Sequence, residues 1–179
     1  ELSDVVGEPD LTDYGVDAVL ICQHAEIAAM LRANDAHLLF GCPIVTTPLP
    51  DAIQRMLERA ETPHVYYLHD ASLTGLQTAF ELPAHLDLPD TTPFIPVGLR
   101  PIHAMRLNLL CQTPIVSDAR SPMWHPYYLS SVERAWLEAG YMAEVAAIPP
   151  LLLLQQIERV LTSGALALLP REARLEKTA

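Results

Sequence analysis

The segment 64–80 constrains the fold of this chain more than any other part of the sequence. Residues 65–68 are β-branched, aromatic or apolar, and the run stops at the charged Asp70, which predicts a buried strand ending there. Turn-forming residues follow at 72–75, and apolar residues then recur at helical spacing at Leu76, Ala79 and Phe80. Because open α/β sheets bind ligands and metals at the carboxyl ends of their strands, Asp70 is the starting point for any functional hypothesis.

Strand-like and helix-like segments alternate along the rest of the chain. Besides 65–68, the pattern predicts short apolar strands at 17–22, 43–46 and 93–98. It predicts further helices at 25–34, 51–60, 102–107, 131–139 and 149–161, and an extended or linking segment at 142–147. This alternation favours an α/β fold with a mainly parallel sheet flanked by helices. We assign residues 1–16 to an N-terminal arm, 17–165 to one domain with a helical C-terminal extension, and 166–179 to a charged tail.

Composition restricts the class of protein. The chain has 179 residues, half of them apolar, and a formal net charge of −11. Its eleven Lys and Arg residues are scattered, which argues against direct binding to nucleic acid, since affinity for phosphates comes from clustered basic residues. The isolated Cys22, Cys42 and Cys111 form no metal-binding or disulfide pattern, and no apolar run is long enough to span a membrane. We therefore expect a cytoplasmic protein with free thiols and no membrane contact.

Five short segments occur in a recognisable order: 19–31, 42–55, 69–76, 96–101 and 136–147. Together they cover most of the chain, from about 17 to 161. The first resembles the opening strand and helix of a Toprim domain, and the third resembles that domain's Asp-x-Asp-Pro-x-Gly signature. The closest likeness is to the A subunit of topoisomerase VI and its relatives that make meiotic double-strand breaks. The resemblance implies a Toprim-like, Rossmann-like fold and kinship with Mg²⁺-dependent enzymes that cleave DNA.

The departures from the Toprim pattern fall on its metal-binding residues. In that family a glutamate and an Asp-x-Asp pair converge on Mg²⁺, and the matching positions here are Gln23, Asp70 and Ser72. Only Asp70 keeps a carboxylate, so the resemblance implies a vestigial site with no catalytic residue and no cofactor. The alternative is a magnesium ion held by Asp70 together with Glu26 or Asp118, two carboxylates that no motif supports.

Each of these residues also has a structural interpretation. Asp70 is a candidate to cap the helix that follows it, with Gln23 and Ser72 hydrogen-bonded to it in a satisfied polar cluster. The doublet of His69 and Asp70 is unlike that of metal-dependent phosphohydrolases, whose ligands lie on helices, and we expect the other histidines to lie at the surface or in loops. The apolar run at 151–161 is either core or an oligomer surface.

Three functions fit this pattern. The first is a catalytically degenerate Toprim-like domain that acts as a structural or interaction module in a larger DNA-processing or defence-type assembly. Its partner would be another protein or a second copy of the chain, with DNA reached only indirectly or through regions outside this sequence. The second is a metal-dependent nuclease or topoisomerase-like subunit that uses Asp70 with unconventional ligands. The third, a nucleotide-binding or small-molecule-binding module, is disfavoured because the chain has no glycine-rich phosphate loop.

Overall fold

The computed structural model describes residues 18–59, 63–86, 88, 92–112 and 129–163. Six strands are present in these ranges: β1 (Ala18–Cys22), β2 (Ile44–Val45), β3 (His64–Leu68), β4 (Phe94–Pro96), β5 (Cys111–Gln112) and β6 (Met142–Ala143). Seven α-helices accompany them: α1 (Ala25–Ala33), α2 (Ala36–Phe40), α3 (Asp51–Arg59), α4 (Leu73–His85), α5 (Pro101–Arg106), α6 (Ser131–Glu138) and α7 (Pro150–Ser163). A short 3₁₀ helix covers Val145–Ala147. The predicted arm at 1–16 and tail at 166–179 lie outside the described residues.

Four strands form one parallel sheet in the order β2-β1-β3-β4. From β1 the chain runs to the edge strand β2. It then crosses over, so that β3 pairs with the other side of β1. This reversal makes the boundary between β1 and β3 the topological switch point, where parallel α/β sheets open a crevice at the carboxyl ends of their strands. The predicted α/β class, with a parallel sheet flanked by helices, is confirmed.

The two faces of the sheet bury alternate residues of β1 and β3, as the two-residue period of a strand requires. One face packs against α3 and α4 and contributes Val19, Ile21, Val65 and Tyr67. The opposite face packs against α1 and α7 and contributes Leu20, Cys22, Tyr66 and Leu68. Because both faces are covered, the central strands are almost continuously apolar. The cluster on the α1 and α7 face also includes Leu153, Ile157 and Val160, so most of the apolar run of α7 is core, whereas Leu151 at its start is exposed.

The structure corrects three details of the predicted elements. Residues 36–40 form the short helix α2, where the sequence predicts only the approach to the second strand. The linking segment at 142–147 contains β6, which pairs antiparallel with β5, followed by the 3₁₀ helix. Phe80 keeps its helical position but is 63% exposed, so it lies outside the core. None of the helices in the described ranges is long and apolar enough to cross a membrane.

The three cysteines are free thiols. Cys22 and Cys42 are buried in the core on the α1 and α7 face, and burial raises the pKa of each thiol to about 12. A thiol with such a pKa is inert near neutral pH because almost none of it is thiolate.

Candidate functional site

The candidate site lies at the switch point, where β1 and β3 end side by side. Cys22 is paired with Leu68 in the sheet register, and the backbone N–H of Gln23 donates to the carbonyl of Leu68 at 2.9 Å. This pairing places Gln23 and His24 beside His69 and Asp70. The expectation that Gln23 and Asp70 meet at the carboxyl edge of the sheet therefore agrees with the geometry.

Asp70 lies at the centre of the site and is 2% exposed. Its Oδ1 accepts a hydrogen bond of 2.8 Å from the backbone N–H of Val145, and its Oδ2 lies 2.6 Å from Nε2 of His24. An ionised carboxylate can only accept, so the proton of the second bond belongs to His24. Both oxygens of this buried carboxylate are therefore bonded within the chain, as burial of an ionised group requires.

Gln23 and Ser72 satisfy backbone groups of the site. The amide oxygen Oε1 of Gln23 accepts a 2.9 Å hydrogen bond from the backbone N–H of Asp70. Ser72 is the N-cap of α4, and its Oγ accepts a 3.0 Å hydrogen bond from the N–H of Gly75. The predicted polar cluster is present only in part, because Gln23 bonds to the backbone of Asp70 and Ser72 bonds to Gly75 instead of Asp70. The prediction that Asp70 caps α4 is wrong, since its carboxylate bonds to His24 and Val145. Ser72 caps α4 instead. It lies immediately before the helix, where a side-chain oxygen can accept from an N–H group of the first turn that has no partner within the helix.

Gly75 is tightly enclosed by the oxygens of this cluster. A Cβ at this position would lie 2.7 Å from the carbonyl oxygen of Asp70, 2.9 Å from Oε1 of Gln23 and 3.0 Å from Oγ of Ser72. The first contact is to backbone, which cannot swing away as a flexible side chain can. The close approach of α4 to the end of β3 therefore requires glycine.

A C-terminal segment lies across the end of β3. Ala71 and Ala143 exchange two backbone hydrogen bonds of 3.0 Å, and Val145 donates its N–H to Asp70. Residues 143–145 of the chain thus lie against the carboxyl end of β3, next to the switch point. This segment is the part of the site that sequence reasoning missed most completely, because a backbone donor leaves no mark on the side-chain pattern.

His69 is buried, and its ring packs against Gly98. Its Nδ1 lies 2.9 Å from the carbonyl oxygen of Asp70 and its ring stacks on Tyr67 with a centroid separation of 5.7 Å. A Cβ on Gly98 would lie only 2.3 Å from the ring of His69, so the chain that follows β4 also requires glycine at this position. Burial lowers the pKa of His69, although the neighbouring Asp70 opposes this shift, so the charged form of the ring is disfavoured.

A second buried polar group joins α5 to α6. Arg100 donates to Glu133 through Nε at 3.0 Å and through a terminal nitrogen at 2.7 Å. Glu133 also closes a capping box with Ser130 at the start of α6. Burial by itself raises the pKa of Glu133, but the bonds from Arg100 and Ser130 outweigh it and lower that pKa below its ordinary value. Arg100 thus acts as a structural cation here.

A magnesium ion does not fit the donors at the switch point. Mg²⁺ requires several oxygen ligands in near-octahedral geometry, usually with more than one carboxylate in or near its shell. Here the oxygens of Gln23, Asp70 and Ser72 each already accept a hydrogen bond from within the chain. Glu26 is exposed on the first turn of α1, and Asp118 lies outside the described residues. Throughout the described ranges, no three His, Cys, Asp or Glu side chains group in a way that could hold a metal ion.

His24 is the residue of the candidate site that sequence reasoning passed over. It is the N-cap residue of α1, yet its side chain makes no capping bond and bonds to Asp70 instead. The available signal was its position, since it is the second residue after β1 and therefore beside the end of β3 in any parallel pairing of the two strands.

Comparison with known proteins supplies no family for this arrangement. No protein-family model matches the chain, and no curated protein sequence matches it significantly. The Toprim resemblance therefore stays a prediction from the motifs.

Proposed function

We propose that this chain carries a Toprim-like domain that has lost its metal chemistry and works as a structural or interaction module. The observation that carries the proposal is the bonding of Asp70. Its buried carboxylate is satisfied by His24 and by the backbone of Val145, at the position where the resemblance expects a cation. A buried carboxylate whose two oxygens are both hydrogen-bonded within the chain is suited to holding elements together.

Three further features support a module in place of an enzyme. Residues 143–145 bond to Asp70 and Ala71 at the carboxyl end of β3, the edge at which a parallel α/β sheet would bind a substrate. The oxygens of Gln23 and Ser72 are occupied by backbone donors. The net charge of −11 opposes direct contact with DNA, so the proposal assigns any contact with nucleic acid to a partner.

Exposed apolar side chains support an interaction role. Leu38 and Leu39 on α2 are 72% and 64% exposed, and Leu151 on α7, the helix that packs against α2, is 69% exposed. Exposed leucines on adjacent helices are typical of surfaces that bind another protein or a second copy. Free cysteines favour a reducing compartment, and we place the protein in the cytoplasm for that reason.

A DNA-cleavage assay tests the proposal against its main alternative. The alternative is a metal-dependent nuclease that uses Asp70 with unconventional ligands. We expect the purified protein to leave supercoiled plasmid intact in Mg²⁺ and in Mn²⁺. Cleavage that Asp70→Asn abolishes, while Glu58→Gln at an exposed position on α3 retains it, would replace the proposed function with the nuclease.

A further inference from the structure

We infer that His24 is the group that keeps divalent cations off Asp70. This inference rests on the proposed function and names the residue responsible for the loss of metal chemistry. The imidazole Nε2 lies 2.6 Å from Oδ2 of Asp70, and the side chains of the pair are 43% and 3% exposed. His24 is therefore the member of the pair that faces solvent, and Asp70 is the member it covers.

The two oxygens of the Asp70 carboxylate have different hydrogen-bond partners. Oδ1 is held by the backbone N–H of Val145, which no side-chain truncation removes. Oδ2 is held by the side chain of His24 and is the oxygen that a substitution can release. A donor hydrogen in a bond of this length lies between nitrogen and oxygen, in the space that a cation at about 2.1 Å from the oxygen would need. The N–H of His24 and a bound cation therefore compete for Oδ2.

The substitutions that restore the missing carboxylates are compatible with the observed hydrogen bonds. In Gln23→Glu one carboxylate oxygen can still accept from the backbone N–H of Asp70. In Ser72→Asp the side chain can still cap α4, since aspartate is as good an N-cap as serine. The double variant thus provides three carboxylates around the switch point with His24 still in place. It is the background in which the competition can be measured.

The test compares Mn²⁺ affinity by calorimetry in three proteins. These are Gln23→Glu/Ser72→Asp, the same variant with His24→Ala added, and the same variant with His85→Ala added as a control at an exposed histidine on α4. We expect His24→Ala to tighten Mn²⁺ binding at least tenfold and His85→Ala to leave it unchanged. A further variant, His24→Phe, keeps an aromatic ring of similar bulk but has no N–H. It should also tighten binding if the hydrogen bond, and not bulk, excludes the ion.

Each other outcome contradicts the inference. Unchanged affinity in His24→Ala would show that the imidazole does not compete with the ion. Weaker affinity would show that His24 is a metal ligand. Failure of all the variants to bind would show that removal of the imidazole does not uncover a cation site. If the double variant fails to fold, as judged by circular dichroism, the comparison is made between Gln23→Glu and Gln23→Glu/His24→Ala. Failure of the proposed function is a separate result, because it requires Asp70-dependent DNA cleavage by the wild-type protein.

Discussion

Asp70 and His24 lie 46 residues apart in the sequence and 2.6 Å apart in the structure. The bond joins the end of β3 to the start of α1 across the switch point of the sheet. Together with the bond from Val145, it joins three separate parts of the chain through one carboxylate.

Removal of the Asp70 carboxylate should destabilise the fold more than removal of its partner imidazole. Asp70→Ala leaves the buried N–H of Val145 without an acceptor, and we expect a loss of about 2 to 4 kcal/mol in the free energy of unfolding. His24→Ala removes a half-exposed donor and should cost about 1 kcal/mol. Urea denaturation of the two single variants and the double variant measures both losses and their coupling. Additive losses would contradict a direct interaction between the two side chains.

Gly98→Ala should destabilise the protein through His69. The added methyl would lie 2.3 Å from the imidazole, so the ring or the strand end must shift, at a cost of about 2 kcal/mol. Thermal denaturation of Gly98→Ala, His69→Ala and the double variant measures the effect. We expect the second substitution to recover part of the loss caused by the first. A double variant with the full sum of both losses would show that the clash is with something other than His69.

The pair of Arg100 and Glu133 should be more sensitive to loss of one partner than to loss of both. Arg100→Met leaves a carboxylate that is 2% exposed without its cation, and we expect a loss of about 3 kcal/mol. Arg100→Met/Glu133→Gln removes both charges, keeps a side chain that can close the capping box with Ser130, and should be closer to the wild type in stability. Chemical denaturation of the two variants provides the comparison. A double variant less stable than Arg100→Met would show that the pair contributes net stability beyond its own desolvation.

Stability should fall as the pH is lowered from 6.5 towards 4, because of His103. Burial, with Arg100 nearby, lowers the pKa of this histidine from 6.5 to about 4. The unfolded state then binds a proton that the folded state excludes, so the free energy of unfolding decreases as the pH falls through this window. Burial of His69 acts in the same direction. We expect His103→Leu to reduce the slope between pH 6.5 and 5 by up to about 1.4 kcal/mol per pH unit.

The matched control for this pH dependence is His85→Gln, at an exposed position. It should leave the slope unchanged. Nδ1 of His103 is buried and has no hydrogen-bond partner among the residues that the structure describes, so an apolar residue of similar size should be tolerated there at neutral pH. An unaltered slope in His103→Leu would contradict the assignment. The measurement is restricted to pH 5 and above so that Glu133 does not contribute to the slope. Because the pKa of Glu133 is lowered, the stability that its carboxylate contributes is lost only at more acidic pH.

The parallel sheet was predictable because its central strands are buried on both faces. That burial demands the apolar runs at 18–22 and 64–68, and the polar residues that follow each run mark the carboxyl edge of the sheet. The short helix α2 was not predictable from the same kind of run. Leu38, Leu39 and Phe40 are consistent with either state, and periodicity does not distinguish a short helix from a strand approach.

The membership of the candidate site was only partly predictable. Gln23, Asp70 and Ser72 could be named because each follows or caps a recognisable element. Their hydrogen-bond partners could not be predicted, since these depend on how α1, α4 and residues 143–145 pack against the end of β3. His24 and the N–H of Val145 compete successfully for Asp70 because tertiary packing brings them within hydrogen-bonding distance, and no local pattern encodes that distance.

The most direct test of the central claim is Mn²⁺ binding to the wild-type protein by calorimetry, beside Gln23→Glu/Ser72→Asp and Asp70→Ala. We predict no binding heat for the wild type and measurable binding for the variant with restored carboxylates. That result would mean that the switch point has the Toprim arrangement and that this chain has lost its metal. Binding by the wild type that disappears in Asp70→Ala would contradict the account, because a carboxylate satisfied by His24 and Val145 would then still hold a cation.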